Sequence, residues 1–91
     1  MKKRVLINVR QWHINHGKAN EVDSCPIALV LRGLFRTKEV DVSGADATVY
    51  KSTRTYEVDL PGRAANFVDA FDRGDPVKPL SFYLNFRYYD D

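Results

Sequence analysis

The chain opens on an alternating pattern. Val5, Ile7 and Val9 are interleaved with Leu6, Asn8 and Arg10, which predicts a first strand with its aliphatic face inward. Residues 11–24 keep no period and are rich in turn formers. They read as a long connection, with room for one helical turn before Gly17. Ser24-Cys25-Pro26 then opens a helix, with Ser24 or Cys25 at the cap and Pro26 in the first turn. Ile27, Val30, Leu31, Leu34 and Phe35 recur at spacings of three and four, an apolar stripe that ends near Arg36-Thr37. Gly33 lies inside this helix, where it costs about 1 kcal/mol relative to Ala, and so predicts a close backbone approach.

Val40 and Val42 start a second strand, followed by a turn at 43–46. Residues 47–51 and 54–60 are strand-like, joined by the polar turn Lys51-Ser52-Thr53-Arg54. Pro61 opens a second helix with Ala64, Phe67, Val68 and Phe71 inward, and Gly74 terminates it. After an extended connector at 75–79, Leu80, Phe82, Leu84, Phe86 and Tyr88 alternate cleanly with polar positions and Tyr83. The order is strand, helix, two or three strands, helix, strand. It predicts an α+β two-layer sandwich over residues 1–91 as one domain. An antiparallel-rich sheet of four or five strands carries two helices on one face, and ferredoxin-like connectivity fits the order.

Composition narrows the classes. With 91 residues, 44% of them hydrophobic, the chain is too apolar for disorder and supports one thin core. No apolar run approaches the ~18 residues of a membrane span, and Asn8 and Arg10 interrupt the leader-like start Lys2-Lys3-Arg4. A single cysteine cannot close an internal disulfide, so the expected compartment is a reducing cytoplasm. The net charge of +2 is low for a nucleic-acid binder, but it is unevenly placed. Lys2, Lys3, Arg4, Arg10 and Lys18 fall in the first twenty residues without one acid, and nine bases face twelve acids in the remainder.

Candidate chemistry is thin. His13, His16 and Cys25 have residue types that zinc uses, but a closed site needs a fourth ligand and no C-x-x-C pair is present. Cys25 at a helix start would gain thiolate character from the dipole. Its continuation into Pro26-Ile27-Ala28-Leu29 favours a buried structural thiol instead. Asp59, Asp69 and Asp72 lie off the apolar stripe and read as a solvated face. Phosphate loops, nucleophile elbows and H-E-x-x-H are absent, so no enzyme and no cofactor are expected.

Aromatic and basic residues interleave at Tyr50, Lys51, Arg54 and Tyr56, and again at Tyr83, Arg87 and Tyr89. If one face of the sheet closes the core, Tyr83, Asn85 and Arg87 point the other way with Thr55, Glu57 and Asp59. Tyr83, Asn85 and Arg87, extended by Arg10 and Lys18, are the candidate partner-binding set. Tyr and Arg suit protein hot spots, and they also suit stacking on bases.

Cys25-Pro26-Ile27-Ala28-Leu29, with the His-containing loop before it, is followed later by Phe71-Asp72-Arg73-Gly74 and Val77-Lys78-Pro79-Leu80-Ser81-Phe82. This pattern, over roughly residues 5–86, resembles a group of short phage and prophage accessory proteins. The resemblance implies a phage-encoded, non-enzymatic binding protein that engages a host protein or ribonucleoprotein complex in the host cytoplasm. An anti-CRISPR-like inhibitor of host defence is one form of that expectation. The alternative is a nucleic-acid-binding module using the open sheet face and the basic start.

Overall fold

A computed structural model describes residues 3–90, so Lys2 of the basic start lies outside the described residues. The elements are β1 (Lys3–Val9), α1 (Gln11–His16), α2 (Pro26–Phe35), β2 (Val40–Ser43), β3 (Asp46–Tyr50), β4 (Arg54–Asp59), α3 (Gly62–Asp72) and β5 (Leu80–Asp90). The strands form one sheet in the order β1-β5-β4-β3-β2, with every neighbouring pair antiparallel. The α+β sandwich is therefore as the periodicity requires. The ferredoxin-like order is not what forms. β1 lies at an edge beside β5, and the strands flanking α3 are adjacent and antiparallel. The long connection through α1 and α2 accordingly carries the chain from one edge of the sheet to the other.

One face of every strand closes a single core. Ile7 and Val9 of β1, Phe82 and Leu84 of β5, Val58 of β4, Ala47 and Val49 of β3, and Val40 and Val42 of β2 are all buried. Register aligns them in rows, Ile7 opposite Phe82, Phe86 opposite Val58 and Val49 opposite Val40. Ile27, Ala28 and Leu31 of α2 and Ala64, Phe67 and Val68 of α3 cover these rows. Phe35, Tyr56 and Phe86 extend the core as an aromatic cluster with ring centroids 4.8–5.7 Å apart.

α2 starts as its sequence predicts. Cys25 is the N-cap, its Sγ accepts the Ala28 N–H at 3.5 Å, and Pro26 occupies the first turn. The stripe is narrower than its spacing suggests, however. Leu34 is 47% exposed, because Ile27, Ala28, Leu31 and Phe35 form the inward arc of α2 and Leu34 falls on its flank.

Gly33 does not make the close backbone approach that its place inside the helix predicts. A Cβ there would meet nothing within 4 Å, so no backbone approaches it. Gly17 is the glycine at a close contact: a Cβ would lie 2.7 Å from Pro26 Cδ. Its φ of −74° suits any residue, so the constraint is steric, and Pro26 is buried and rigid. The two positions should respond with opposite signs. Gly33→Ala should raise stability by roughly 0.5–1 kcal/mol through helix propensity. Gly17→Ala should lower it by roughly 1–2 kcal/mol through overpacking. Denaturant midpoints of the two variants, at unchanged m-value, check both signs.

The segment 11–24 is more ordered than its lack of period implies. α1 forms because the Arg10 N–H donates to His13 Nδ1 at 2.9 Å, a cap unlike the usual Ser, Thr, Asp or Asn. Burial, and secondarily the Arg10 charge, lowers the His13 pKa from its usual 6.5, in keeping with a neutral ring at that cap. Further along, Asn20 donates its N–H to Asp72 Oδ1 at 2.9 Å and its side-chain amide to the Asp72 carbonyl at 3.2 Å. Val22 accepts the Val42 N–H at 2.7 Å, which partly covers the edge of β2. Asp72 thus fastens the loop to α3 instead of belonging to a solvated face.

Candidate functional site

With the buried helix positions on one side, nothing among the described residues covers the other face of the sheet, where Leu6, Tyr50, Tyr83 and Tyr89 are exposed. Alternation and register define it. Arg4, Leu6 and Asn8 of β1 stand opposite Asn85, Tyr83 and Ser81 of β5. Thr55, Glu57 and Asp59 of β4 stand opposite Tyr89, Arg87 and Asn85. Asp46, Thr48 and Tyr50 of β3, then Asp41 and Ser43 of β2, complete the face.

The face has two halves of different chemistry. On β1 and β5, Tyr83 is 54% exposed and its direct cross-strand neighbour Leu6 is 46% exposed. The Arg4 guanidinium sits 4.3 Å from the Tyr83 ring centroid, which orders both side chains. Ser81 donates its hydroxyl to Asn8 Oδ1 at 2.6 Å and ties the two strands at one end. On β2 to β4, Asp41, Asp46, Glu57 and Asp59 supply four carboxylates. Arg87 lies between the halves, reaching Asp59 at 2.9 Å and Glu57 at 3.2 Å.

That lattice sets protonation as well as orientation. A hydrogen bond from Tyr89, reinforced by Arg87, holds the Glu57 carboxyl below its ordinary range. The same bond raises the Tyr89 phenol above its own. These groups are solvent-screened, so their role is to fix side-chain positions and not to stabilise the fold.

The candidate residues do not all meet. Tyr83, Asn85 and Arg87 share the open face. Arg10 caps α1 at the end of that face, lining a cleft of about 430 Å³ with Asn8, Gln11, Pro79 and Ser81. Lys18 belongs to the loop that is tied to the helical layer, its N–H bonded to the Ser24 carbonyl at 2.8 Å. Leu6 was legible as an outward position in β1, but only its pairing with Tyr83 makes it part of a patch.

His13, His16 and Cys25 are occupied separately. His13 Nδ1 caps α1, and His16 Nδ1 lies 2.8 Å from the Trp12 carbonyl oxygen. Among the described residues, no group of three or more His, Cys, Asp or Glu side chains is placed to hold a metal ion. Burial raises the Cys25 thiol pKa, outweighing the α2 amides that oppose it. Cys25 should therefore react slowly with a thiol reagent in the native protein, and rapid labelling without unfolding would contradict its structural role. Cys25→Ser should cost about 1 kcal/mol, since burying a hydroxyl is partly offset by serine's better capping.

No family model, curated protein or solved structure matches this chain. No helix among the described residues is long and apolar enough to cross a membrane.

Proposed function

We propose that this chain is a non-enzymatic binding protein whose open sheet face receives a protein partner. The observation that carries the reading is the uncovered patch of Tyr83 and Leu6, framed by ordered Arg4, Asn85 and Arg87. Exposed aromatics beside arginine match the composition of interface hot spots. The salt-bridged lattice pre-positions the polar rim, which reduces the ordering cost of association. Four carboxylates on the same face disfavour a phosphate backbone there, so the nucleic-acid alternative is weaker for this surface.

The resemblance noted in residues 25–29 and 71–82 adds a direction: the partner is a host macromolecule, and inhibition of a host defence complex is one such role. Cytoplasmic operation agrees with the single unpaired cysteine. The test is affinity capture from host lysate with and without nuclease treatment. A protein partner retained after nuclease, and lost when Tyr83 is replaced by Ala, is the expected result. Recovery of nucleic acid alone would overturn it.

A further inference from the structure

The helical side of the molecule carries a second surface of a different kind. α1 packs Ile14 against the core and holds Trp12 outward in a defined position. The indole is 58% exposed, stacks on the His16 ring at 4.1 Å and meets the His13 ring edge-on at 5.5 Å. It borders a shallow, open cleft of about 480 Å³ between α1 and the C-terminal half of α2, where Leu29 and Gly33 supply apolar lining. The charged lining is all of one sign: Arg32, Arg36 and Lys38. Among the described residues, ion pairs are made by Arg54, Arg73 and Arg87, and none by these three. Arg32 has one long hydrogen bond, 3.4 Å, to the Asp23 carbonyl.

Part of this charge has a structural reason, since cations near a helix C-terminus are favoured by the dipole. The dipole favours a cation at the Arg36 cap as well, although the backbone there is left-handed at φ 56°, where glycine costs least. The dipole does not account for an indole held in solvent.

We propose that this cleft binds single-stranded nucleic acid, with one base stacked on Trp12 and the flanking phosphates on Arg32, Arg36 and Lys38. Cations that track a backbone beside an aromatic platform are the means by which proteins hold single strands without reading sequence. The chain's net charge of +2 gives no hint of this; the local field of the cleft does. An acidic peptide would satisfy the cations alone, whereas a base can also stack on the part of the indole that His16 leaves exposed. The site is distinct from the open face and stands independently of the protein-binding reading.

Trp12 is the only tryptophan in the chain, so its emission reports the site directly. Titration with short oligothymidylate or oligouridylate at low salt should quench that emission saturably, and affinity should fall as salt rises. Arg36→Gly removes one cation while relieving the left-handed backbone. It should melt no lower than the parent, bind several-fold more weakly, and lower the salt slope by about one unit. Trp12→Ala, followed by anisotropy of a labelled oligonucleotide, should bind about tenfold more weakly. Tyr83→Ala should bind the oligonucleotide like the parent, which separates this site from the open face. Three results would overturn the proposal: neither quenching nor an anisotropy change; unchanged affinity in both Arg36→Gly and Trp12→Ala; or a polyglutamate peptide of equal charge binding as tightly with the same quenching.

Discussion

Leu84→Ala is expected to cost about 2–5 kcal/mol, the largest effect of any single truncation considered for this chain. Leu84 is fully buried on β5, the strand that joins β1 to the rest of the sheet, and stands opposite Val5. Removing its side chain takes away apolar burial and leaves a cavity between neighbours held on three strands. A chain of 91 residues has a total stability of roughly 5–14 kcal/mol. A loss of this size would therefore lower Tm by about 8 °C or more. Leu34→Ala is the control, because Leu34 is exposed and should change stability by less than ~0.5 kcal/mol. Denaturant unfolding of both variants decides the matter. A cost below about 1 kcal/mol at Leu84 would mean that the sheet does not close its core at β5.

Much of this fold is legible in the sequence, and the limits of that legibility have physical causes. Alternation over residues 80–88 is enough to assign β5 and both of its faces, because side chains reverse at every strand residue. The same rule places Thr55, Glu57 and Asp59 with Tyr83 and Arg87, as the register has them. Periodicity says which face is buried but not which strands are neighbours. The order that puts β1 at an edge depends on how the long α1–α2 connection crosses the sheet, and nothing local encodes it.

Helical spacing likewise gives a direction for a stripe and not its width. Leu34 fits the spacing of the α2 stripe but falls on its flank, while Phe35, one residue on, packs against the core. α1 is legible only as one helical turn before Gly17, because its cap is a histidine ring nitrogen, and the order of the 17–24 loop is not, because Asn20 and Asp72 meet from 52 residues apart. At the candidate surface, the outward row of β5 could be read in advance. The patch itself depends on Leu6 and Arg4 arriving beside Tyr83, a juxtaposition fixed only by the β1–β5 pairing.

Tyr83→Ala is the second large effect. Tyr83 is at the centre of the uncovered patch, with Arg4 on its ring and Leu6 across the strand. Its side chain takes no part in the core, so truncation should leave Tm nearly unchanged. In complex, a tyrosine of this kind is worth ~2 kcal/mol or more, about thirtyfold in affinity. The decisive measurement is the Kd of the nuclease-resistant partner for the parent, Tyr83→Ala and Leu34→Ala, all at equal salt. A protein that binds through its open face should lose about thirtyfold at Tyr83 and nothing at Leu34. Equal affinity for the parent and Tyr83→Ala would contradict it.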